Sequence, residues 1–174
     1  MKSKLMSCVL PMALLVAFNF LNVDTKSLTG SIESSEMDQE SAATLQVAMS
    51  FMDAMGKGDM EKMLSLMHED MVWHNEGDKD MPWIGPWQGK DTIIKEFLPA
   101  FGANFKTIKW QPEDAMAKGN TAAFFGKMIG QLTKTGIETN EFTYALRVKV
   151  KDGKVILWNW FEDSYAVSKA YHGQ

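Results

Sequence analysis

"FTYALRVKVKDGKVILWNWFEDSYAV" runs from Phe142 to Val167, and its reading decides the fold. Phe142, Tyr144, Leu146, Val148 and Val150 alternate with Thr143, Arg147 and Lys149. That period of two belongs to a strand with one apolar face. Asp152–Gly153 is a strong two-residue hairpin signal, because both central positions of the favoured turn need positive φ. The chain therefore doubles back into a second strand over Lys154–Ser164. Asp163, followed by Ser-Tyr-Ala, reads as the N-cap of a short C-terminal helix.

Which face of that last strand looks inward depends on register. Regular pairing from the turn sets Val150 opposite Val155, Leu146 opposite Asn159 and Phe142 opposite Asp163. Tyr144, Asn159, Phe161 and Asp163 then share the apolar face, and Trp158, Trp160 and Glu162 lie outside beside Arg147. A single β-bulge near Leu157 exchanges the faces and turns Trp158, Trp160 and Glu162 inward. Both registers are open to the residues alone.

Working back from the hairpin, period-two segments near Phe105–Lys118, Thr121–Thr133 and Thr139–Lys151 read as long strands, with turns at Gly119–Asn120 and Gly136. Before Phe105 the period is helical. Leu45, Met49, Met52 and Met55 mark a first helix ended by Gly56 and Gly58. Asp59 caps a second helix carrying Met60, Met63, Leu64 and Met67. The methionine stripe is read as core filling rather than a soft-metal surface. Met71–Asn75 is a short strand, and Asp91 caps a third helix with Ile93, Ile94, Phe97, Leu98 and Phe101, loosened near its end by Pro99. Helices first and a meander of antiparallel strands afterwards predict an α+β fold with the helices on one sheet face.

The chain has 174 residues, a formal charge of -4, 45% hydrophobic and 23% charged residues, which suits one globular domain. Arg147 is the only arginine and no basic stripe is present, so nucleic-acid binding is not expected. Lys2 and Lys4 precede an apolar run from Leu5 to Leu21, the pattern of an export signal. Its length also suits an uncleaved membrane anchor. We therefore expect a signal or anchor over 1–22, a polar linker over 23–40, a domain over 41–172, and an exported, periplasmic or secreted protein. Cys8 is the only cysteine. If the signal is removed, disulfides, thiolate catalysis and cysteine-ligated metal go with it.

The order "MGKGDMEKMLSLMHEDMVWHN", then "GPWQGKDTIIKEF", then "DGKVILWNWFEDSYAV" resembles the SnoaL-like branch of the NTF2-like superfamily over roughly Ala42 to Ala170. Matching features are Gly58-Asp59 between two helices, Glu69-Asp70 before the first strand, and a closing strand with Phe161 and Asp163. The resemblance implies a cone, with a curved antiparallel sheet wrapped around about three N-terminal helices and an apolar pocket. It also implies a homodimer paired through the sheet, and it favours the bulged register. Two mechanisms of the superfamily fit poorly. The ketosteroid isomerase tyrosine and base positions fall on Phe51 and Asn75, and its oxyanion aspartate falls near Tyr144 or Ala145. Limonene epoxide hydrolase matches locally at Trp73-His74-Asn75, yet its catalytic set falls on about Gly126, Met128 and Trp160.

From these readings we expect a small apolar ligand and acid–base chemistry of isomerase or cyclase type, or ligand binding and dimerisation without chemistry. Glu162 is the candidate proton shuttle, since burial beside tryptophans raises a carboxyl pKa. Asn75 would orient a carbonyl or water, and Trp73, Trp158 and Trp160 would form apolar walls. Met128, Tyr144, Asn159 and Asp163 complete the candidate ligand-binding set, with Trp83 and Trp87 brought over the cone's mouth by the stiff segment around Pro82 and Pro86. His74 should point away from the pocket, because it alternates with Trp73 and Asn75. His68, after a helix end, is taken as a dipole partner or exposed. His74, Glu76, Asp78 and Asp80 are conspicuous, but they sit in a loose loop with no second nearby His beyond His68, so no metal is expected. No cofactor is expected either.

Overall fold

The computed structural model describes residues 37–174, so the expected signal or anchor and most of the expected linker lie outside the described residues. Helix α1, Gln39–Lys57, begins two residues before the expected domain boundary, and the Asp38 side chain caps it by accepting from the Ser41 N–H at 2.8 Å. Gly58, in the left-handed region at φ 68°, closes α1, while Gly56 stays inside the helix. Asp59 caps α2, Met60–Ser65, as its position foretells.

Met67 already belongs to β1, Met67–Asn75, which is longer than the expected strand. A short strand that the sequence did not lead us to expect follows: β2, Gly85–Gln88, pairs antiparallel with the end of β1. Pro86 is tolerated there because β2 is an edge strand.

Gly89, rather than Asp91, precedes the next helical stretch. It runs as α3, Lys90–Thr92, a π-helical turn, Ile93–Phe97, and α4, Leu98–Asn104. Pro99 lacks an N–H and its ring crowds the carbonyl four residues back, which is Lys95. The π turn contains that residue, so the helix is widened at the carbonyl the proline ring would crowd.

The remaining strands are β3, Phe105–Lys118, β4, Thr121–Leu132, β5, Phe142–Lys151, and β6, Lys154–Glu162. Asp163 caps α5, Ser164–His172. The sheet has six strands in the order β2-β1-β6-β5-β4-β3. Its pairs are antiparallel except β1 with β6, which run parallel. Register shifts fall between Thr107 and Lys109, Pro112 and Asp114, and Lys149 and Val150. Such extra residues bend strands and curl the sheet, here into a curved, unclosed sheet holding the N-terminal helices, the expected α+β cone.

The decisive register is the bulged one. Val150 pairs with Val155 and Lys149 with Leu157, leaving Ile156 as the extra residue. Leu146 therefore faces Trp160, and Tyr144 faces Glu162. The apolar interior is dominated by aromatic rings: Phe51 meets Trp158 at 5.3 Å and Trp158 meets Trp73 at 5.1 Å between centroids.

Candidate functional site

The sheet and helices enclose a cavity of about 570 Å³. Trp73 and Asn75 enter it from β1, Trp158, Trp160 and Glu162 from β6, and Met128 from β4. Trp83, Phe97, Phe101 and Phe105 complete an aromatic wall, and Met55, Gly56, Met60 and Met63 line the side made by α1 and α2. Rigid rings and flexible thioethers give the cavity an apolar wall.

Polar groups on this wall are few. The side-chain oxygen of Asn75 accepts from the Trp73 indole N–H at 3.1 Å, and its amide nitrogen approaches the Trp83 carbonyl at 3.5 Å. An indole only donates and a carbonyl only accepts, so these neighbours set the amide orientation. The second N–H of the Asn75 amide is thereby left free to meet a guest. Asn75 pairs with Trp160 across the parallel strands, which places Glu162 two residues farther along β6.

Glu162 is the one ionisable side chain lining the cavity among the described residues. Burial pushes its carboxyl up to about 7, the Trp160 indole donating to Oε2 at 2.8 Å opposes that rise, and the Asp163 charge adds to it. A group poised there exchanges protons readily near neutral pH.

Several expected site residues are placed elsewhere. Asn159 follows the opposite face and is buried against Arg147, whose guanidinium donates to its Oδ1 at 2.9 Å. Asp163 is occupied in capping α5. Tyr144 shares the inner face but lies behind the wall, its ring stacked on Trp160 at 4.3 Å. Burial pushes its phenol up to about 12, against the Trp110 indole beside it. Trp83 does not cover the mouth: it is 2% exposed and packs against Phe105 and Tyr171 as part of the wall. Trp87 packs on Phe97 outside the cavity and donates to the Trp83 carbonyl. The exposed lining residues are Gly56, Met60 and Thr107, so the opening lies between the α1–α2 corner and β3.

His74 turns away as expected, with Nδ1 3.4 Å from Glu76. His68 lies within β1, where its Nδ1 accepts from the Asp70 N–H. Sequence reading overlooked Trp110, whose signal was its position opposite Met128 across the β3–β4 hairpin. It also overlooked His172, which the fold carries from the far end of the chain to Asp78 and Asp80. Their ligand atoms lie within 4.8 Å of one another. Asp78 is engaged already, by Ser168 Oγ at 2.5 Å and His172 Nε2 at 3.0 Å, and these bonds with the Asp80 N–H hold it down to about 2.

The chain's residues 48–158 match the model of the SnoaL-like domain, and the chain belongs to that family. Among solved structures it is similar to an NTF2-like protein of Burkholderia xenovorans, at 22% identity and a TM-score of 0.67, over 77% of this chain and 99% of that one. It is also similar to a candidate SnoaL-like polyketide cyclase of Jannaschia, at 13% identity and a TM-score of 0.61, over 80% of this chain and 98% of that one. A third similar structure is TerC co-crystallised with polyporic acid, at 18% identity and a TM-score of 0.61, over 75% of this chain and 98% of that one. No curated protein sequence matches the chain significantly. At these identities the structural likeness speaks to fold, and the chemistry has to come from the residues of this cavity.

Proposed function

We propose that this chain binds a small, flat, largely apolar carbonyl compound in its cone, and that Glu162 moves a proton on it. The observation that carries this reading is a single carboxylate set in an aromatic-walled cavity with its pKa pushed up to about 7. Ionised Glu162 takes a proton from the carbon beside the ligand's carbonyl. The C–H electron pair moves into the new C=C bond and the carbonyl pair moves onto oxygen. The Asn75 amide N–H supports that oxygen. Return of the proton to another carbon gives an isomer, whereas attack of the enolate carbon on a second carbonyl of the same molecule closes a ring. In that attack the pair of the second C=O bond moves onto its oxygen, and the proton passes from Glu162 to the alkoxide so formed. The similarity to a candidate polyketide cyclase supports this class of reaction.

The test is a screen of steroid-like and polyketide-like carbonyl compounds by quenching of the cavity tryptophans. Hits are then incubated in D2O, and deuterium uptake beside the carbonyl is measured. Uptake that Glu162→Gln abolishes without loss of binding supports the proposal. Uptake unchanged in that variant overturns it. The second reading is a binding module without chemistry, favoured by the absence of any other ionisable group on the wall among the described residues. Tight binding with no uptake in the wild type selects that reading.

Export and homodimerisation belong to the same proposal. Lys2 and Lys4 ahead of the apolar run support export. No helix among the described residues is long and apolar enough to cross a membrane. Phe125, Ala145 and Phe161 form a row across β4, β5 and β6 on the outer face, and both phenylalanines are 41% exposed. That row supports pairing through the sheet.

A further inference from the structure

We infer that Trp160 is a positioning residue for Glu162: its indole N–H holds Oε2, which leaves Oε1 as the oxygen that exchanges the proton with a guest. This rests on the reading of Glu162 as the proton-moving group and names how that group is aimed.

Gly126 lies two strands away from Trp160, on β4. A Cβ on Gly126 would come within 2.3 Å of the Gln111 carbonyl oxygen and 2.8 Å of Tyr144 Oη. Gly126 therefore provides the space in which the Tyr144 side chain lies across β4. So placed, the phenol ring stacks on the Trp160 indole with centroids 4.3 Å apart and planes 17° from parallel. Held flat, the indole directs its N–H along β6 to Glu162 Oε2 at 2.8 Å. No other side chain among the described residues donates to the carboxylate.

An indole N–H donates and never accepts. In a carboxylic acid the carbonyl oxygen accepts better than the hydroxyl oxygen, so the N–H on Oε2 favours the acid form with its proton on Oε1. Both protonation states thus share one side-chain orientation, and proton transfer needs no rotation of the group. Other charges and titratable groups near Glu162 are few. They are Asp163, next on the chain, and the neutral phenol of Tyr144 on β5, which in turn feels Glu113 of β3. None of these donates to Oε2, so the assignment falls on Trp160.

The test is read on the ligand-free full chain by NMR. The carboxyl carbon of Glu162 is titrated in protein labelled at its glutamates, the resonance being assigned as the one missing from Glu162→Gln. Trp160→Phe keeps a ring against Tyr144 and deletes the donor. Its Glu162 midpoint should rise by about one to two pH units, the size of a lost hydrogen bond to an ionised group. Should Trp160→Phe fold poorly, the wild type answers by itself, since the Trp160 indole N–H resonance should titrate with the same midpoint as the Glu162 carbon. Trp87→Phe, which removes an indole outside the cavity, should leave that midpoint unmoved. An unmoved midpoint in folded Trp160→Phe, or an indole resonance flat through the Glu162 transition, overturns the inference. Neither measurement needs a ligand. Turnover surviving Glu162→Gln therefore strikes the proposed reaction alone, and an unmoved midpoint strikes the positioning alone.

Discussion

The indole N–H of Trp73 donates to the side-chain oxygen of Asn75 at 3.1 Å, inside the cavity and away from water. Two residues apart on β1, they point to the same face, and the bond makes Asn75 a donor to whatever fills the cone. Asn75→Ala should therefore have two separable effects. Leaving the Trp73 donor buried without an acceptor costs about 1–3 kcal/mol, measurable as a lower midpoint in urea. Affinity for carbonyl-bearing guests should fall further than affinity for their hydrocarbon counterparts. Equal losses for both would show that Asn75 only supports the wall.

Glu162 gives a pH signature without any ligand. Its folded pKa of about 7 lies above the unconstrained 4.5, so the native state holds the proton more tightly than the unfolded chain does. The resulting stabilisation is fully present below 4.5 and is lost as pH rises to about 7. Glu162→Gln removes the dependence. The variant should be more stable than the wild type at pH 8, by about 3 kcal/mol at most, and the gap should close towards pH 4.5. Denaturant midpoints across that range measure it. A constant gap would mean that the carboxyl is not strained by burial.

The strands of the meander, the Asp152–Gly153 hairpin, the Asp59 cap and the alternation of Trp73, His74 and Asn75 were all legible, because each rests on local period or turn chemistry. The facing of β6 was not, because one extra residue at Ile156 moves every later side chain across the sheet, and nothing local marks a bulge. The roles of Trp83 and His172 were illegible for a different reason. Trp83 meets Tyr171, and Asp78 meets His172, only after the chain has folded end to end. The family resemblance supplied the bulge, whereas no pattern along the chain supplied those two contacts.

Asp78 fastens the loop before β2 to α5 through Ser168 and His172. Its carboxyl is held down to about 2 from 3.8 by those bonds and the Asp80 N–H. A depressed carboxylate contributes stability that is complete above its unfolded pKa and is lost as pH falls through the folded value. Asp78→Asn should lower the melting temperature at pH 6, and wild type and variant should converge between pH 4 and about pH 2. Since Tyr171 of α5 packs on Trp83, the variant should also expose the cavity tryptophans to acrylamide quenching. Unchanged melting at pH 6 would show the fastening to be energetically silent.

Gly130 tests how tightly the aromatic wall is seated. A Cβ there would meet Phe105 ring atoms at 2.0, 2.5 and 2.8 Å. Phe105 stacks on Phe101, which stacks on Phe97, so the ring cannot retreat alone. Gly130→Ala should cost about 1–3 kcal/mol as an overpacking change and weaken guest binding with it. Gly136→Ala, by comparison, meets nothing nearby but stands at φ 72°, so its cost should come from the backbone and leave binding intact. Parallel urea melts and tryptophan-quenching titrations separate the two.

The outer face of the sheet offers the last test. Phe125, Ala145 and Phe161 stand side by side on β4, β5 and β6, with Arg147 and Asn159 joined in the next row. Exposed apolar side chains that join into one contiguous patch mark interaction surfaces, whereas scattered single ones do not. A charge placed on this row has no partner when a second copy approaches across a two-fold axis, and like charges meet. Phe161→Glu should therefore convert a dimer to a monomer in sedimentation velocity while leaving the circular dichroism spectrum and the cavity's ligand quenching unchanged. A wild type that sediments as a monomer across the micromolar range would remove the dimer from the proposal and leave the cone's chemistry untouched.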